Sequence, residues 1–392
     1  MIEKSIRRAA TQATGVFALL LLGATLVGFV WPWNRDSPWP SGSDIPVEPL
    51  GFPTLESRIM SGPDIGAGFR FAALGDQRAL ADGEWQELVA VLAELDRTDG
   101  LAFIIDTGDV VYNGSHGDQF AFLRRLLDPV SHLPYLICTG NHEVCNNRSP
   151  QSRQNLAKLM QGVDSELSAD HMYFRKDVGP LRLLFLDTND LVYGDNGEDS
   201  GLHEPVPGSR AEAQMAWLTT ELAEDDRGEN ALTIAMLHHP FIQSSHKHRA
   251  QAAALWSYQY RGRTLPDVLL DGGVDVVLTG HTHSTERFLV RRHDGRQLRL
   301  VNLSGRPRDG FLWFGSGSRA AHDLVGREHR WLARQGWRGL EGWTIRQEDA
   351  MTHDEVNQCG LFSVDAAGVL SLEMVYLEDD GGMRREAPVP LH

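Results

Sequence analysis

The sequence predicts an α/β domain built on two mixed β-sheets flanked by helices, with one membrane-anchor helix ahead of it. Three observations lead to this prediction. Short apolar runs alternate with amphipathic stretches, polar turn motifs follow the runs, and a long uncharged segment lies near the N-terminus. Alternating strand and helix signals are typical of α/β sheets. With 392 residues, of which 42% are apolar, the chain can bury a substantial core.

The N-terminal segment has the character of a membrane anchor. Three basic residues precede an uncharged run, from Ala13 to Trp33, that is close to the roughly 20 residues needed to cross a bilayer. Positive charge before the run predicts a cytoplasmic N-terminus and a periplasmic or extracellular catalytic domain. A cleaved signal peptide, which would release a secreted protein, is the alternative, but its apolar core is usually only about 7–15 residues. We therefore expect a signal anchor over residues 1–34.

The stretch after the anchor is rich in proline. Residues 35–68 contain six prolines among serine and glycine residues, a composition typical of extended spacers. We expect an extracytoplasmic spacer there and one catalytic domain over residues 69–392, because no internal repeat interrupts the remainder.

The composition bears on nucleic-acid binding and on disulfide bonds. The 53 acidic and 37 basic residues leave a net charge of −16, so nucleic-acid binding is not expected. Three cysteines are too few for a disulfide framework. One bridge at most can form, and Cys145 with Cys359 is the pair considered, since Cys138 lies in an apolar run.

The strand and helix signals can be followed along the domain. Six strand-sized apolar runs begin at Phe69, Leu101, Tyr135, Leu181, Leu232 and Val274. Three stretches with apolar residues at three- and four-residue spacing are predicted helices, and they begin at Glu84, Asp118 and Ala211. The last third has more strand than helix. Its runs at Leu298, Phe311, Gly360 and Leu370 predict antiparallel hairpins that close a second sheet.

Five of the predicted strands are followed by a block that joins glycine or proline to a metal-capable side chain. The blocks are Gly75-Asp76, Gly108–Tyr112, Gly140–Glu143, His238–Pro240 and Gly280–His283. A single block of this kind is usually an ordinary turn. Groups beyond the carboxyl ends of strands converge on one crevice in open α/β sheets, so five blocks in order predict one shared metal site.

The order of these motifs resembles the calcineurin-like metallophosphoesterase superfamily, from about Phe69 to Leu377. Tyr112, three residues after Asp109, is similar to the tyrosine ligand of the purple acid phosphatase branch. The resemblance implies an α/β/β/α sandwich and a metal-dependent phosphoric ester hydrolase of the acid phosphatase type. It also implies a small phosphorylated substrate and two metal ions, iron with zinc, manganese or a second iron.

The resemblance further implies a ligand set for the two ions. One ion would be held by Asp76, Tyr112 and His283, a second by Asn141, His238 and His281, and Asp109 would bridge them. Two cations about 3.5–4 Å apart acidify a bridging water, so a hydroxide would be the nucleophile.

Other motif residues would act on the substrate. His142 would help to protonate or stabilise the leaving oxygen, with Glu143 or Asp187 as its partner. Asn141 and one of His246 and His248 would contact the substrate. His239 could support a ligand from behind.

One departure from the branch is Arg78, two residues after Asp76, where glycine is usual. It is expected either to contact phosphate or to pair with a nearby acid such as Asp82. Arg78 is also the residue that favours a catalytically silent binding protein, whereas the complete ligand set disfavours one. A phosphodiester or nucleotide substrate stays open as well, because the loops carry no readable base- or sugar-binding motif.

Overall fold

The structure, a computed structural model, describes residues 45–61, 68–78, 84–197, 204–223, 232–243, 248–304, 340, 342–351, 358–378 and 382–391. All of them belong to one compact unit, Ser43–His392. The predicted anchor over residues 1–34 lies outside this described part of the chain. Within that part, no helix combines the length and the apolar character needed to span a bilayer.

The described helices include the three that the apolar spacing predicts, which correspond to α2, α3 and α6. In chain order the helices are α1 Leu55–Ser61, α2 Glu84–Asp99, α3 Gly117–Leu126, α4 Pro150–Leu159, α5 Thr188–Tyr193, α6 Arg210–Ala223, α7 Arg249–Ser257 and α8 Leu265–Asp271. Side chains satisfy the first N–H groups of several of them. Ser149 caps α4 ahead of Pro150, and the Asp187 carboxylate accepts the Asn189 N–H at the start of α5.

Each predicted strand that lies within the described residues is present. The strands are β1 Gly68–Leu74, β2 Leu101–Asp106, β3 Tyr135–Ile137, β4 Phe174–Val178, β5 Leu181–Phe185, β6 Leu232–Met236, β7 Gln259–Tyr260, β8 Arg263–Thr264, β9 Val276–Thr279, β10 Thr285–Arg292, β11 Gln297–Asn302, β12 Trp343–Met351, β13 Gln358–Asp365, β14 Leu370–Leu377, β15 Met383–Arg385 and β16 Val389–Pro390. The predicted strand at Phe311 lies outside the described residues.

Two mixed sheets form the centre of the domain, as predicted. The first has the order β15-β14-β13-β1-β2-β3, with β16 also paired to β14. In it β1, β2 and β3 are parallel, and β13 runs antiparallel to β1. The second has the order β12-β10-β11-β9-β6-β5-β4, and β5, β6, β9 and β11 form its parallel centre. A separate two-stranded ribbon joins β7 and β8.

Alternating side chains in the second sheet divide the core into two clusters. In β6, Ile234 and Met236 belong to the cluster that includes the apolar residues of the first sheet, whereas Ala235 belongs to the other. The second cluster contains Met215 of α6 and Trp256 of α7. Successive strand residues face opposite sides of a sheet. The second sheet therefore packs on the first sheet with one face and on helices with the other.

Phe71 shows how closely the first sheet is packed. Its ring stacks on Phe103 of β2, with 4.8 Å between centroids, and on Phe362 of β13, with 4.9 Å. Strands β2 and β13 are the two direct neighbours of β1, and Phe71 is in register with both partners. These stacked pairs fix β1, the strand that leads to Asp76.

The structure differs from the sequence-based prediction in the last third. Strands β10, β11 and β12 extend the second sheet, but β13 and β14 join the first sheet beside β1. Residues 45–61 also differ from the predicted spacer, because Val47, Leu50 and Leu55 are buried in the core and α1 forms. All three cysteines are free, so Cys145 and Cys359 form no bridge.

Candidate metal centre

The five motifs lie at the carboxyl ends of neighbouring strands. Strands β1, β2 and β3 of the first sheet lead to Asp76, Asp109 and Asn141, and β6 and β9 of the second lead to His238 and His281. The structure brings Asp109, His238 and His281 together, with one ligand atom of each within 4.8 Å of the others. All three are buried. The strand ends thus place side chains from both sheets in one crevice.

The backbone at these motifs adopts an uncommon conformation. Asp76, Asp109, His281 and His283 all have positive φ, between 54° and 69°. Residues with a Cβ atom avoid this left-handed region, at a cost of about 1–2 kcal/mol each. Backbone strain of this kind gathers at functional sites, where the surrounding structure holds it in place.

A buried carboxylate, Glu143, holds two of the motif loops together. Its Oε2 accepts the N–H groups of Asp109 (2.8 Å) and Gly140 (2.9 Å), and its Oε1 accepts that of Val111 (3.0 Å). Gly140 is needed for this close approach, because a Cβ atom there would collide with the Asp109 backbone and the Glu143 carboxylate. Glu143 therefore fixes the backbone that presents Asp109.

Three candidate metal-ligand atoms surround Nε2 of the His238 ring. His238 Nε2 lies 3.1 Å from Asn141 Oδ1, 3.2 Å from Asp109 Oδ1 and 3.1 Å from His281 Nδ1. Its other nitrogen, Nδ1, donates to the Thr107 carbonyl at 2.8 Å. Because a carbonyl only accepts, this bond places the hydrogen of a neutral ring on Nδ1. The Nε2 lone pair then faces the other three donors.

These four residues fit one metal ion. An ion about 2.1 Å from each ligand keeps neighbouring ligand atoms roughly 3.0–3.4 Å apart, close to the three separations from His238 Nε2. Imidazole, carboxylate and amide donors together suit first-row metals such as zinc, manganese and iron. Burial opposes charge on His238, but the Asp109 carboxylate outweighs it and raises the pKa of His238 to about 9. Positive charge is therefore favoured at this point.

The second carboxylate oxygen of Asp109, Oδ2, has different neighbours from Oδ1. Its Oδ2 is buried and has no hydrogen bond among the described residues, and it lies 3.6 Å from Arg78 Nη2 and 3.8 Å from His142 Nε2. Burial opposes ionisation, but His238, His142 and Arg78 together hold the pKa of Asp109 well below its usual value. The carboxylate is thus ionised, with one oxygen toward His238 and the other toward Arg78.

Asp76 contacts the backbone of His281, and His283 contacts Arg78. Both Asp76 oxygens accept the His281 N–H, at 3.0 and 2.9 Å, which fixes the backbone of that ligand. Burial raises the pKa of Asp76 to about 6. His283 Nε2 lies 2.7 Å from Arg78 Nη2. Asp82, the other partner considered for Arg78, lies outside the described residues.

Tyr112 is linked to the centre through His142. The two rings lie 5.4 Å apart between centroids, and the Tyr112 carbonyl accepts the His142 Nδ1–H at 2.6 Å. Among the described residues the Tyr112 hydroxyl makes no hydrogen bond. The prediction that Glu143 or Asp187 is the partner of His142 is wrong, because Glu143 binds backbone N–H groups and Asp187 pairs with Arg153 at 2.8 Å.

Two further histidines pack against His281. The His239 ring lies 4.4 Å from it, and Thr188 Oγ1 and the Tyr193 hydroxyl contact its two nitrogens at 2.7 and 3.3 Å. His239 therefore packs on the His281 ring, while its two nitrogens contact Thr188 and Tyr193; its support of a ligand stays a prediction. The His248 ring lies 4.0 Å from the His281 ring. His246, the other candidate substrate contact, lies outside the described residues.

Sequence reasoning missed the functions of Glu143 and Thr107. Glu143 belongs to the Gly140–Glu143 motif, but it bonds to backbone N–H groups. Every residue except proline has such a group, so the sequence does not show which ones Glu143 contacts. Thr107 acts through its carbonyl, so its residue type carries no signal. Arg78 did carry a signal in the sequence, because it stands where glycine is usual.

Comparison with known proteins agrees with the geometry. The family described as calcineurin-like phosphoesterase matches residues 64–285. Purple acid phosphatase 22 of Arabidopsis thaliana is 26% identical over 223 residues, which cover 56% of this chain and 45% of that protein. Acid phosphatase type 7 of Homo sapiens is 25% identical over 238 residues, covering 54% and 50%. The chain therefore spans about half the length of the curated relatives it matches.

The fold is similar to that of solved purple acid phosphatases. The structure of purple acid phosphatase PPD1 from yellow lupin (Lupinus luteus) seeds has a TM-score of 0.52 and 16% sequence identity, covering 84% of this chain and 55% of that one. The family match spans more than half of the chain and includes all five ligand motifs. With its motifs at the strand ends of two mixed sheets, and with purple acid phosphatases among its relatives, the chain belongs to the calcineurin-like phosphoesterase family.

Proposed function

We propose that the protein is a metal-dependent phosphatase that hydrolyses phosphate monoesters. The observation that supports this most is the convergence of Asp109, Asn141, His238 and His281 on one point, at separations that fit one ion. A cation bound there would acidify a water molecule and neutralise charge on the phosphoryl group. The acid phosphatases among the curated relatives support the same substrate class.

The chain's own residues orient the reacting groups. The Asp109 carboxylate reaches both sides of the centre, because Oδ1 faces His238 and Oδ2 faces Arg78 and His142. Its backbone is fixed by Glu143. The family resemblance also implies another ion, which Asp76, Tyr112 and His283 would hold and for which Asp109 would be a shared ligand. The chemistry proposed here requires at least the ion beside His238.

His142 is placed to act on the leaving oxygen. The bond from Nδ1 to the Tyr112 carbonyl fixes the ring and leaves Nε2 toward Asp109 Oδ2. The ring is partly exposed, so a substrate can reach it. Burial and the Arg78 guanidinium lower the pKa of His142 to about 4. We propose that the protonated ring, present in acid, donates from Nε2 to the ester oxygen, and that Asn141 contacts the phosphoryl group.

The test of the proposed function is removal of metal from the purified full-length chain. We expect chelation to abolish hydrolysis of p-nitrophenyl phosphate, and Zn²⁺, Mn²⁺ or iron to restore it, because the nucleophile needs the cation. A parallel assay uses bis(p-nitrophenyl) phosphate. Faster turnover of the diester would favour a phosphodiesterase. A folded, metal-loaded chain that turns over neither substrate would favour a silent binding protein.

His142→Ala tests the leaving-group assignment. We expect kcat for an alkyl phosphate to fall on the order of 10²-fold, and kcat for p-nitrophenyl phosphate to fall much less, because nitrophenolate leaves without help from an acid. The matched control is His132→Ala, since His132 is exposed and pairs with Asp96 away from the centre. An equal loss with both substrates would contradict a role at the leaving oxygen.

A further inference from the structure

Arg78 lies inside the candidate centre, where the family resemblance would place an ion. The residue is only 8% exposed. Its guanidinium nitrogen Nη2 is 2.7 Å from His283 Nε2 and 3.6 Å from Asp109 Oδ2. These two atoms belong to residues that the resemblance assigns to the first ion. A positively charged side chain of this protein therefore already occupies the space between them.

The contact with His283 engages the lone pair that a metal would need. A guanidinium carries only hydrogen-bond donors, so at 2.7 Å it is His283 Nε2 that accepts. An imidazole nitrogen binds a metal through that same lone pair. His283 can thus accept from Arg78 or bind an ion, but not both at once.

The backbone holds Arg78 in this position. The residue has a φ of 57°, in the left-handed region, and its N–H donates to the Asp109 carbonyl at 2.8 Å. The arginine is therefore tied to Asp109 by a main-chain bond as well as by its charge. An arginine side chain on the protein surface would need neither the left-handed backbone nor the main-chain bond to Asp109.

On the His238 side of the centre, no contact with Arg78 competes with metal binding among the described residues. His238 Nε2 lies 3.2 Å from Asp109 Oδ1, the oxygen that does not face Arg78, and Asn141 and His281 contact the same His238 nitrogen. Their separations fit an ion, as described above. The two sides of Asp109 thus present different partners, a set of metal donors on one and a fixed organic cation on the other.

We infer that Arg78 replaces the first ion of the two-ion centre and that the protein binds a single metal ion. That ion is held by Asp109, Asn141, His238 and His281, and the guanidinium supplies a permanent positive charge where the first ion would lie. Tyr112 then binds no metal. The inference rests on the proposed metal-dependent function and specifies its centre.

The number of metal ions per chain tests this directly, without an activity assay. Full-length protein is reconstituted with Zn²⁺, freed of excess metal by dialysis, and analysed by inductively coupled plasma mass spectrometry. We expect one ion per chain for the wild type and two for Arg78→Gly, since glycine suits a positive φ and removes the guanidinium from His283 Nε2. Arg78→Lys keeps the charge, and we expect it to bind one ion.

The outcomes separate this inference from the proposed function. Two ions in the wild type, or one ion in a folded Arg78→Gly variant, would overturn the inference while leaving a metal-dependent phosphatase in place. No ion in the wild type would overturn both. If the glycine variant does not fold, as judged by circular dichroism, Arg78→Asn takes its place, because asparagine also tolerates the left-handed region.

Discussion

Replacing Asp109 by asparagine is expected to lower kcat/KM for an aryl phosphate by on the order of 10³-fold, comparable to removal of one preorganised group from a catalytic site. Asparagine keeps the size of the side chain but removes its charge. Asp109 Oδ1 lies 3.2 Å from His238 Nε2, and its buried Oδ2 lies 3.6 Å from Arg78. The substitution therefore weakens metal binding and leaves two cationic groups without their shared anion.

Steady-state kinetics with metal in excess, together with metal content after dialysis, measure this effect. The matched control is Asp118→Asn, because Asp118 is also buried but lies at the start of α3, where its Oδ1 accepts the Gln119 N–H. An amide keeps that acceptor, so the control should keep its activity. If Asp109→Asn turned over the substrate at the wild-type rate, the assignment of Asp109 to the centre would fail.

Glu143→Gln is expected to lower the free energy of unfolding by roughly 1–3 kcal/mol, the cost of leaving a buried N–H donor without an acceptor. The Glu143 side chain is fully buried and accepts three backbone N–H groups through two oxygens. Glutamine has one oxygen, so its amide NH₂ must face at least one of these donors. The loops that carry Asp109 and Asn141 should then separate.

Urea unfolding followed by circular dichroism measures the stability of this variant. Glu94→Gln is the control, because Glu94 pairs with Arg97 on the exposed face of α2, and its loss should not measurably change stability. Metal content should fall in Glu143→Gln but not in the control. Equal unfolding midpoints for Glu143→Gln and the wild type would show that the three N–H groups find other acceptors.

The parallel strands and the convergence of the motifs could be predicted because they depend on local signals. An apolar run of strand length followed by a glycine and a ligand is visible within ten residues, and the carboxyl ends of neighbouring strands meet by topology alone. The site could therefore be located before the structure was known. The sheets of the core could be predicted from the same apolar runs of strand length.

Long-range pairing could not be predicted in this way. β1 and β13 lie side by side although almost the whole domain separates them in sequence, and the apolar pattern of β13 suits either sheet. The position of Arg78 was equally hidden. A charged residue in a turn usually lies in solvent, and only the left-handed backbone at Arg78 turns its side chain into the centre.

The placement of β13 beside β1 also determines when the domain can fold during synthesis. Until Phe362 has left the ribosome, Phe71 has only one of its two stacking partners, and one edge of β1 has no neighbouring strand. The first strand pairs with one of the last, so the sheet stays incomplete through most of translation and leaves apolar surface exposed to chaperones. Nascent chains shorter than about 365 residues would thus present a half-built ligand crevice, and metal could be acquired only after the polypeptide is nearly finished.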